Sequence, residues 1–383
     1  MILSVVIVNF NVNYFLEQCL SSIKKAVNQS LLLSGNTEVF IVDNASSDGS
    51  LAFLEPLYPE FHFIANRENT GFAKGNNQAL PHCSGAFILF LNPDTIVAED
   101  SLDQCLSFFQ KQTDAGAVGV RMIDGSGIFL KESKRGFPSP MTSFFKMSGL
   151  AACFPSSRLF AAYYAGHLDP KANHPVEILS GAFMMVRKEV LEKTGGFDEQ
   201  FFMYAEDIDL SYRIGKAGFQ NYYLASTSII HFKGESTRRD IRYVKQFYFA
   251  MNQFMKKHFH GSSPFLFFLN QGVALRQHLA AVLLKFQKIS APPKQREYIF
   301  IKGAPEDLSK IKTGIRHAGI MLTEAEGEAG GVLFCESEQL SMKSIIQEME
   351  MAPRKLSYFV HGSGTHAAVG SKSGGEKGEI IVF

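Results

Sequence analysis

The sequence predicts an α/β protein: a mostly parallel central sheet, then a helical segment and a second, small α/β unit. Three observations carry that expectation. Short apolar, β-branched runs alternate with stretches of helical spacing in the N-terminal part of the chain, the order that winds a parallel sheet. The runs lack polar alternation, as strands buried on both faces require. Three of them deliver a polar residue at their carboxyl ends (Asn9, Asp43 and Asp94), so neighbouring strand ends collect groups able to bind a ligand.

Leu3 to Val8 (LSVVIV) is the first strand and ends at Asn9. Tyr14 to Val27 has helical spacing, with Phe15, Cys19, Leu20 and Ile23 on one face. Glu38 to Val42 is the second strand and stops at DNASSDGS, a turn and helix start by its chemistry. Phe61 to Ala65 is the third. NTGFAKGNNQAL (Asn69 to Leu80) opens another helix flanked by Gly71 and Gly75. Glycine there lets backbone approach a ligand and exposes N–H groups to an anion, or else serves a tight turn and close helix packing. Phe87 to Leu91 is a further buried strand, halted by Asn92-Pro93-Asp94. Alone, Asp94 reads as a turn cap. Beside Asn9 and Asp43 on one sheet edge, it becomes a candidate to hold a hard cation against a phosphate. No GxGxxG follows the first strand and no GxxxxGK[ST] loop occurs, which weighs against dehydrogenases and P-loop NTPases.

Ala117 to Ile123 is a strand, and Asp124-Gly125-Ser126-Gly127 predicts a hairpin to Ile128–Leu130. Residues 135–175 hold prolines and aromatics with little periodicity, the pattern of a long, partly mobile connection. Ala182 to Val186 is a strand, and Lys188 to Thr194 a helix stopped by Gly195-Gly196. Glu206, Asp207 and Asp209 open the next helix, which Gly218 ends. Acids in a first turn suit the helix dipole. Three of them behind Phe201-Phe202-Met203-Tyr204 also suit a general base screened from water. His231, after the strand Ser228–Ile230, is a candidate ligand in that setting, although a lone histidine there is more often structural.

Residues 238–290 are basic, aromatic and amphipathic. The 265–289 stripe reads either as a helical cap on the core or as an interfacial helix at an anionic membrane surface. Ala291-Pro292-Pro293 marks a linker. The unit over 294–383 shows strands at 298–302, 319–323, 331–335, 356–360 and 379–383, with helices at 306–317 and 340–349. Its glycine-rich HGSGTHAAVGSKSGG reads as a flexible loop. A net charge of +1 gives no overall field for nucleic acid. The five cysteines lack metal or CxxC spacing and read as buried thiols of a reducing compartment. With no secretory leader and no apolar run long enough to span a bilayer, the expected location is the cytoplasm, with peripheral contact at the inner membrane face.

Taken in order, VVIVNFN, VDNASSDGS, NTGFAKGNNQAL, LNPDT, SGAFMMVRKEV, GGFDEQFFMYAEDIDLSYRIGKAGF and HFKGEST resemble the family 2 glycosyltransferases, in the branch that includes bacterial rhamnosyltransferases. The resemblance spans residues 1–240. It implies a GT-A nucleotide-binding domain over 1–237 and inverting sugar transfer, rhamnose among the candidates. The donor would be UDP- or dTDP-linked, the acceptor a hydroxyl of a lipid-linked saccharide, the setting cell-surface polysaccharide synthesis, and the cofactor Mg²⁺ or Mn²⁺. By position, Asn9 and Asp43 would contact base or ribose, with Asn69, Gly71 and Asn76 lining the same pocket. Asp94 would be the last acid of the DXD motif, at the metal and diphosphate. Asp207, in the pair with substrate-side Glu206, would be the base, and His231 a late metal or diphosphate contact. Asn92 replaces the first DXD acid, leaving one carboxylate at that turn. A silent nucleotide-sugar-binding scaffold is the competing reading, favoured by Asn92 alone. A nucleotidyltransferase would need a Gly/Lys-rich loop where Asn9-Phe10-Asn11 stands.

Overall fold

The computed structural model describes residues 1–234, 241–258, 298–351, 357–371 and 378–383. The first apolar run forms β1 (Leu3–Asn9), buried at every position. It lies between β2 (Thr37–Asp43) and β4 (Phe87–Leu91), parallel to both, with Ile7 opposite Ile41 and Leu91. β3 (His62–Ala65) extends the sheet beyond β2. The crossovers are α1 (Asn13–Gln29), α2 (Ser50–Leu54) and α3 (Phe72–Ala79).

After β4 come β5 (Thr95–Ile96), α4 (Ser101–Lys111), β6 (Ala115–Ile123), α5 (Pro140–Met147), α6 (Leu150–Cys153) and β7 (His174–Val176). They are followed by β8 (Phe183–Arg187), α7 (Lys188–Thr194), α8 (Glu206–Lys216), β9 (Gln220–His231) and α9 (Ile241–His258). The sheet order is β3-β2-β1-β4-β8-β6-β9-β5, with β7 on β9. β8 runs antiparallel to both β4 and β6, so the sheet is parallel on one side and mixed on the other. Core lies on both faces, around Leu16 and Leu20 on one and around Phe90, Met184 and Leu210 on the other. That two-sided burial is why the strands are apolar runs.

Several expectations change. No strand forms over 128–130: Asp124 Oδ1 accepts from the Ser126 N–H and hydroxyl and from the Ile128 N–H, winding a turn that leaves one bridge, Ile123–Phe129. The 135–175 stretch is not simply a connection, because it contains α5 and α6. Ser139 Oγ accepts from the Thr142 N–H with Pro140 at the first helical position, start signals hidden among prolines. His231 closes a single long strand, β9, rather than following a short one. Cys153 is exposed, unlike the other four cysteines. α9 buries Ala250, Met251, Phe254 and Met255 against Phe201, Ala205 and Ile208, so this basic, aromatic helix packs on the core of the first domain. The 265–289 stripe lies outside the described residues.

The C-terminal unit consists of β10 (Tyr298–Lys302), α10 (Leu308–His317), β11 (Met321–Thr323), β12 (Gly331–Cys335), α11 (Met342–Met351), β13 (Ser357–His361), β14 (Ala367–Ser371) and β15 (Glu379–Val382). Its sheet order is β11-β10-β12-β13-β14-β15, parallel up to β13 and antiparallel beyond. β14 falls within the stretch expected to be a loop. Ala367, Ala368 and Val369 are fully buried, and Gly370 lets the strand close on β13, where a Cβ would lie 2.2 Å from the Tyr358 carbonyl. This unit shares a core with the first domain: Phe15, Ile96, Ile230 and Phe232 pack with Ile345, Ile346, Met349 and Tyr358. Glu99 caps α11 from across the contact, accepting the Met342 and Lys343 N–H groups at 2.6 and 2.9 Å. Among the described residues, no helix is long and apolar enough to cross a membrane.

Candidate active site

A cavity of about 350 Å³ opens at the carboxyl edge of β1 and β4, lined among others by Asn44, Asn69, Gly71, Asp94, Arg135, Glu206, Asp207 and His231. Pro93 ends β4 and turns the chain into β5, whose pairing with β9 sets Thr95 opposite His231. Asp94 Oδ1 thereby comes within 3.4 Å of His231 Nε2, and Asn92 Nδ2 lies 3.4 Å from the same nitrogen. His231 Nδ1 is buried without a hydrogen-bond partner.

Asp207 sits in the first turn of α8, after two consecutive left-handed residues, Tyr204 (φ +71°) and Ala205 (φ +67°). Such backbone is strained and persists only where its surroundings hold it. Asp207 Oδ2 accepts from Arg135 Nη2 at 2.5 Å and from the Gly181 N–H at 3.1 Å, while Oδ1 accepts from the Ile208 N–H at 2.8 Å. A carboxylate has about four acceptor positions, so one on Oδ1 remains. Arg135 also donates to the Leu179 carbonyl at 2.6 Å. Burial works against its charge, but Asp207, then Tyr163, hold its pKa above the ordinary value. The raised carboxyl of the acid pair is Glu206: burial, then the charge of Asp207, push it up to about 8, which favours its neutral form.

The glycine expectation resolves toward packing. Gly71 has φ +85°, and a Cβ there would lie 2.5 Å from the Phe202 carbonyl, which accepts the Phe72 N–H at 2.8 Å. The first amide of α3 therefore fixes the 201–204 loop. Asn69 Oδ1 accepts the Gly71 N–H at 2.9 Å. Asn9 and Asp43 are adjacent as expected, but they bond each other: Asn9 Nδ2 donates to Asp43 Oδ1 at 2.7 Å, and neither lines the cavity. Asn76 is likewise buried, donating to the Phe72 carbonyl at 2.9 Å. Asn44 lines the cavity and donates to the Gly71 carbonyl at 3.0 Å. The sequence reading passed over Asn44, although it adjoins Asp43. It also missed Arg135, for which no local signal exists.

A divalent ion fits the Asp94–His231 pair as a partial site. One carboxylate and one imidazole, whose Nε2 faces Asp94, offer two donors, but no cluster of three or more His, Cys, Asp or Glu able to hold a metal occurs among the described residues. The remaining ligands would have to be substrate oxygens and water, an arrangement hard cations accept.

A mixed sheet with a cavity at its carboxyl edge and an acid pair in the cavity wall is the ligand-site arrangement of open α/β folds. Residues 4–195, half of the chain, match the sequence profile described as Glycosyl transferase family 2, and the protein belongs to that family. The chain is 29% identical over 294 residues to the N-acetylglucosaminyl-diphospho-decaprenol L-rhamnosyltransferase of Mycobacterium tuberculosis, covering 73% of this chain and 92% of that one. It is 28% identical over 175 residues to rhamnosyltransferase WbbL of Escherichia coli K12, covering 44% and 63%. Among solved structures, mannosyltransferase PcManGT of Pyrobaculum calidifontis with GDP-Man and Mn²⁺ is similar at TM-score 0.48 and 18% identity, covering 76% of each chain.

Proposed function

We propose that this chain is an inverting, metal-assisted glycosyltransferase. It moves a hexose, rhamnose first among the candidates, from a UDP- or dTDP-linked donor to a hydroxyl of a lipid-linked saccharide in cell-surface polysaccharide synthesis. The observation that carries the reading is Asp207, whose Oδ1 keeps an acceptor position in the same cavity that Asp94 and His231 line. The rhamnosyl and lipid-linked components are supported by the name of the mycobacterial relative, a diphospho-decaprenol L-rhamnosyltransferase.

In this mechanism the acceptor hydroxyl donates its hydrogen bond to Asp207 Oδ1 and passes its proton there as its oxygen attacks the anomeric carbon. The new carbon–oxygen bond forms as the bond to the diphosphate breaks, and the electron pair leaves with the phosphate oxygen. A single displacement needs one base and inverts the centre. Arg135 and the Gly181 N–H hold Asp207 in place, so little reorganisation is required at the moment of transfer. Protonated Glu206 adds no second charge beside the base and can donate to a substrate oxygen. Phe201, at the start of the 201–204 loop, is buried against α8 and α9 and anchors that loop beside the cavity wall that Met203 and Tyr204 form. A divalent ion held by Asp94 and His231 would neutralise charge gathering on the leaving diphosphate.

Incubation with a panel of nucleotide sugars, with Mg²⁺, with Mn²⁺ or with EDTA, tests the reading by the nucleoside diphosphate released. One donor should be slowly hydrolysed with either metal, faster with a polyprenyl-linked acceptor, and not in EDTA. Failure with every donor would reject it.

A further inference from the structure

The cavity opens beside a stretch that the transfer chemistry leaves unexplained. From Gly136 to Leu168 the chain has no aspartate or glutamate, whereas Lys146 and Arg158 fall within it. α5 and α6 fold this stretch into a small knuckle. Phe145 is buried, its ring 4.9 Å from that of Phe160, which meets Phe154 at 5.3 Å. That inner packing leaves Met141 (57% exposed), Phe144 (50%), Phe154 (52%) and Leu159 (58%) facing outward. Soluble surfaces scatter such side chains singly. Their concentration on α5 and on the turns just after α6, with charge of one sign, is the pattern of an element lying in a membrane interface. The knuckle also reaches the site: Lys146 lies over the Tyr163 ring at 3.6 Å, and both line the cavity with Tyr164.

We propose that the α5–α6 knuckle docks on an anionic bilayer, placing Met141, Phe144, Phe154 and Leu159 among the acyl chains and Arg158 at the headgroups. The charge selects the occupant: an acid-free, cationic apolar surface complements anionic lipid. The inference rests on the proposed use of a lipid-linked acceptor, whose sugar must enter the cavity while its lipid stays in the bilayer. The knuckle at the cavity mouth sets that geometry.

Vesicle flotation of the full chain tests it, with phosphatidylcholine alone and phosphatidylcholine mixed with phosphatidylglycerol, against the triple variant Phe144→Ser/Phe154→Ser/Leu159→Ser. These side chains are exposed, and a thermal melt checks that the variant folds. The wild type should float with the mixed vesicles, less so as salt rises, and the variant should lose about tenfold or more of that binding. The variant's lipid-free donor hydrolysis should stay at the wild-type rate, and its KM for a polyprenyl-linked acceptor should rise. Equal flotation of variant and wild type, or no flotation of the wild type, overturns the proposal. So does light scattering that shows wild-type dimers lost in the variant, which would assign the surface to a second copy. Flotation without sugar transfer would count against the proposed function alone, and transfer without flotation against the docking surface alone.

Discussion

Replacing Arg135 with methionine separates the catalytic constellation from mere family membership. The side chain keeps much of its length and loses the guanidinium, so Asp207 Oδ2 forfeits its 2.5 Å partner and retains only the Gly181 N–H. Both members of the pair are largely shielded, at 12% and 15% side-chain exposure. Breaking such a pair by removing one partner costs about 3 kcal/mol. The melting temperature should fall by several degrees without loss of the fold. Turnover should fall further than stability explains, by about 10²-fold or more, because an unheld base forfeits most of a general base's contribution. Donor KM should barely move, since the proposed role of Asp207 is toward the acceptor hydroxyl. Arg135→Lys should recover part of the stability and little of the rate, because the shorter lysine does not bring its ammonium to the place from which Nη2 donates to both Asp207 and the Leu179 carbonyl. The assay is donor-coupled release of nucleoside diphosphate with a saturating acceptor, alongside a thermal melt. A folded Arg135→Met enzyme with wild-type kcat would refute the role of Arg135.

Other expectations follow from the same contacts. Gly71→Ala meets both a left-handed φ and a carbonyl 2.5 Å away, so it should displace the 201–204 loop, lower the melting temperature and weaken donor binding by calorimetry. Glu206 has a folded pKa raised from 4.5 to about 8, so the folded state binds the extra proton between those values. Stability should therefore fall as pH rises through that window. Urea melts at pH 6 and pH 8.5 should show this loss for wild type and a flatter profile for Glu206→Gln. Ile346→Ala, in the core shared between the two units, should cost about 2–4 kcal/mol and shift one common unfolding transition. Two separate transitions in calorimetry would contradict a joint core.

The buried strands were legible because residues shielded on both faces must be apolar, and β1, β4 and β12 fall where their runs stand. Asp94, Asp207 and His231 were also legible, since each marks the end of a strand or the start of a helix and the structure gathers them around one cavity. What local pattern could not show is whatever depends on distant partners. Arg135 looks like any charge in a proline-flanked loop until the fold carries it to Asp207. Asn9 and Asp43 occupy the expected edge, yet their side chains bond each other and Ser46, and neither lines the cavity. β14 escaped because glycine and small residues resemble a loop unless a neighbouring strand supplies the burial. The shared core escaped because Ile345 and Ile346 read equally well as the inside of a separate small unit.

The most direct measurement is the paired effect of Asp207→Asn on transfer and on donor binding. The amide preserves shape and removes the proton acceptor. Turnover to a saccharide acceptor should fall by about 10²- to 10⁴-fold, while calorimetric affinity for the nucleotide sugar with Mn²⁺ stays near wild type. Near-wild-type transfer by the folded variant would contradict the account and move the base to another carboxylate.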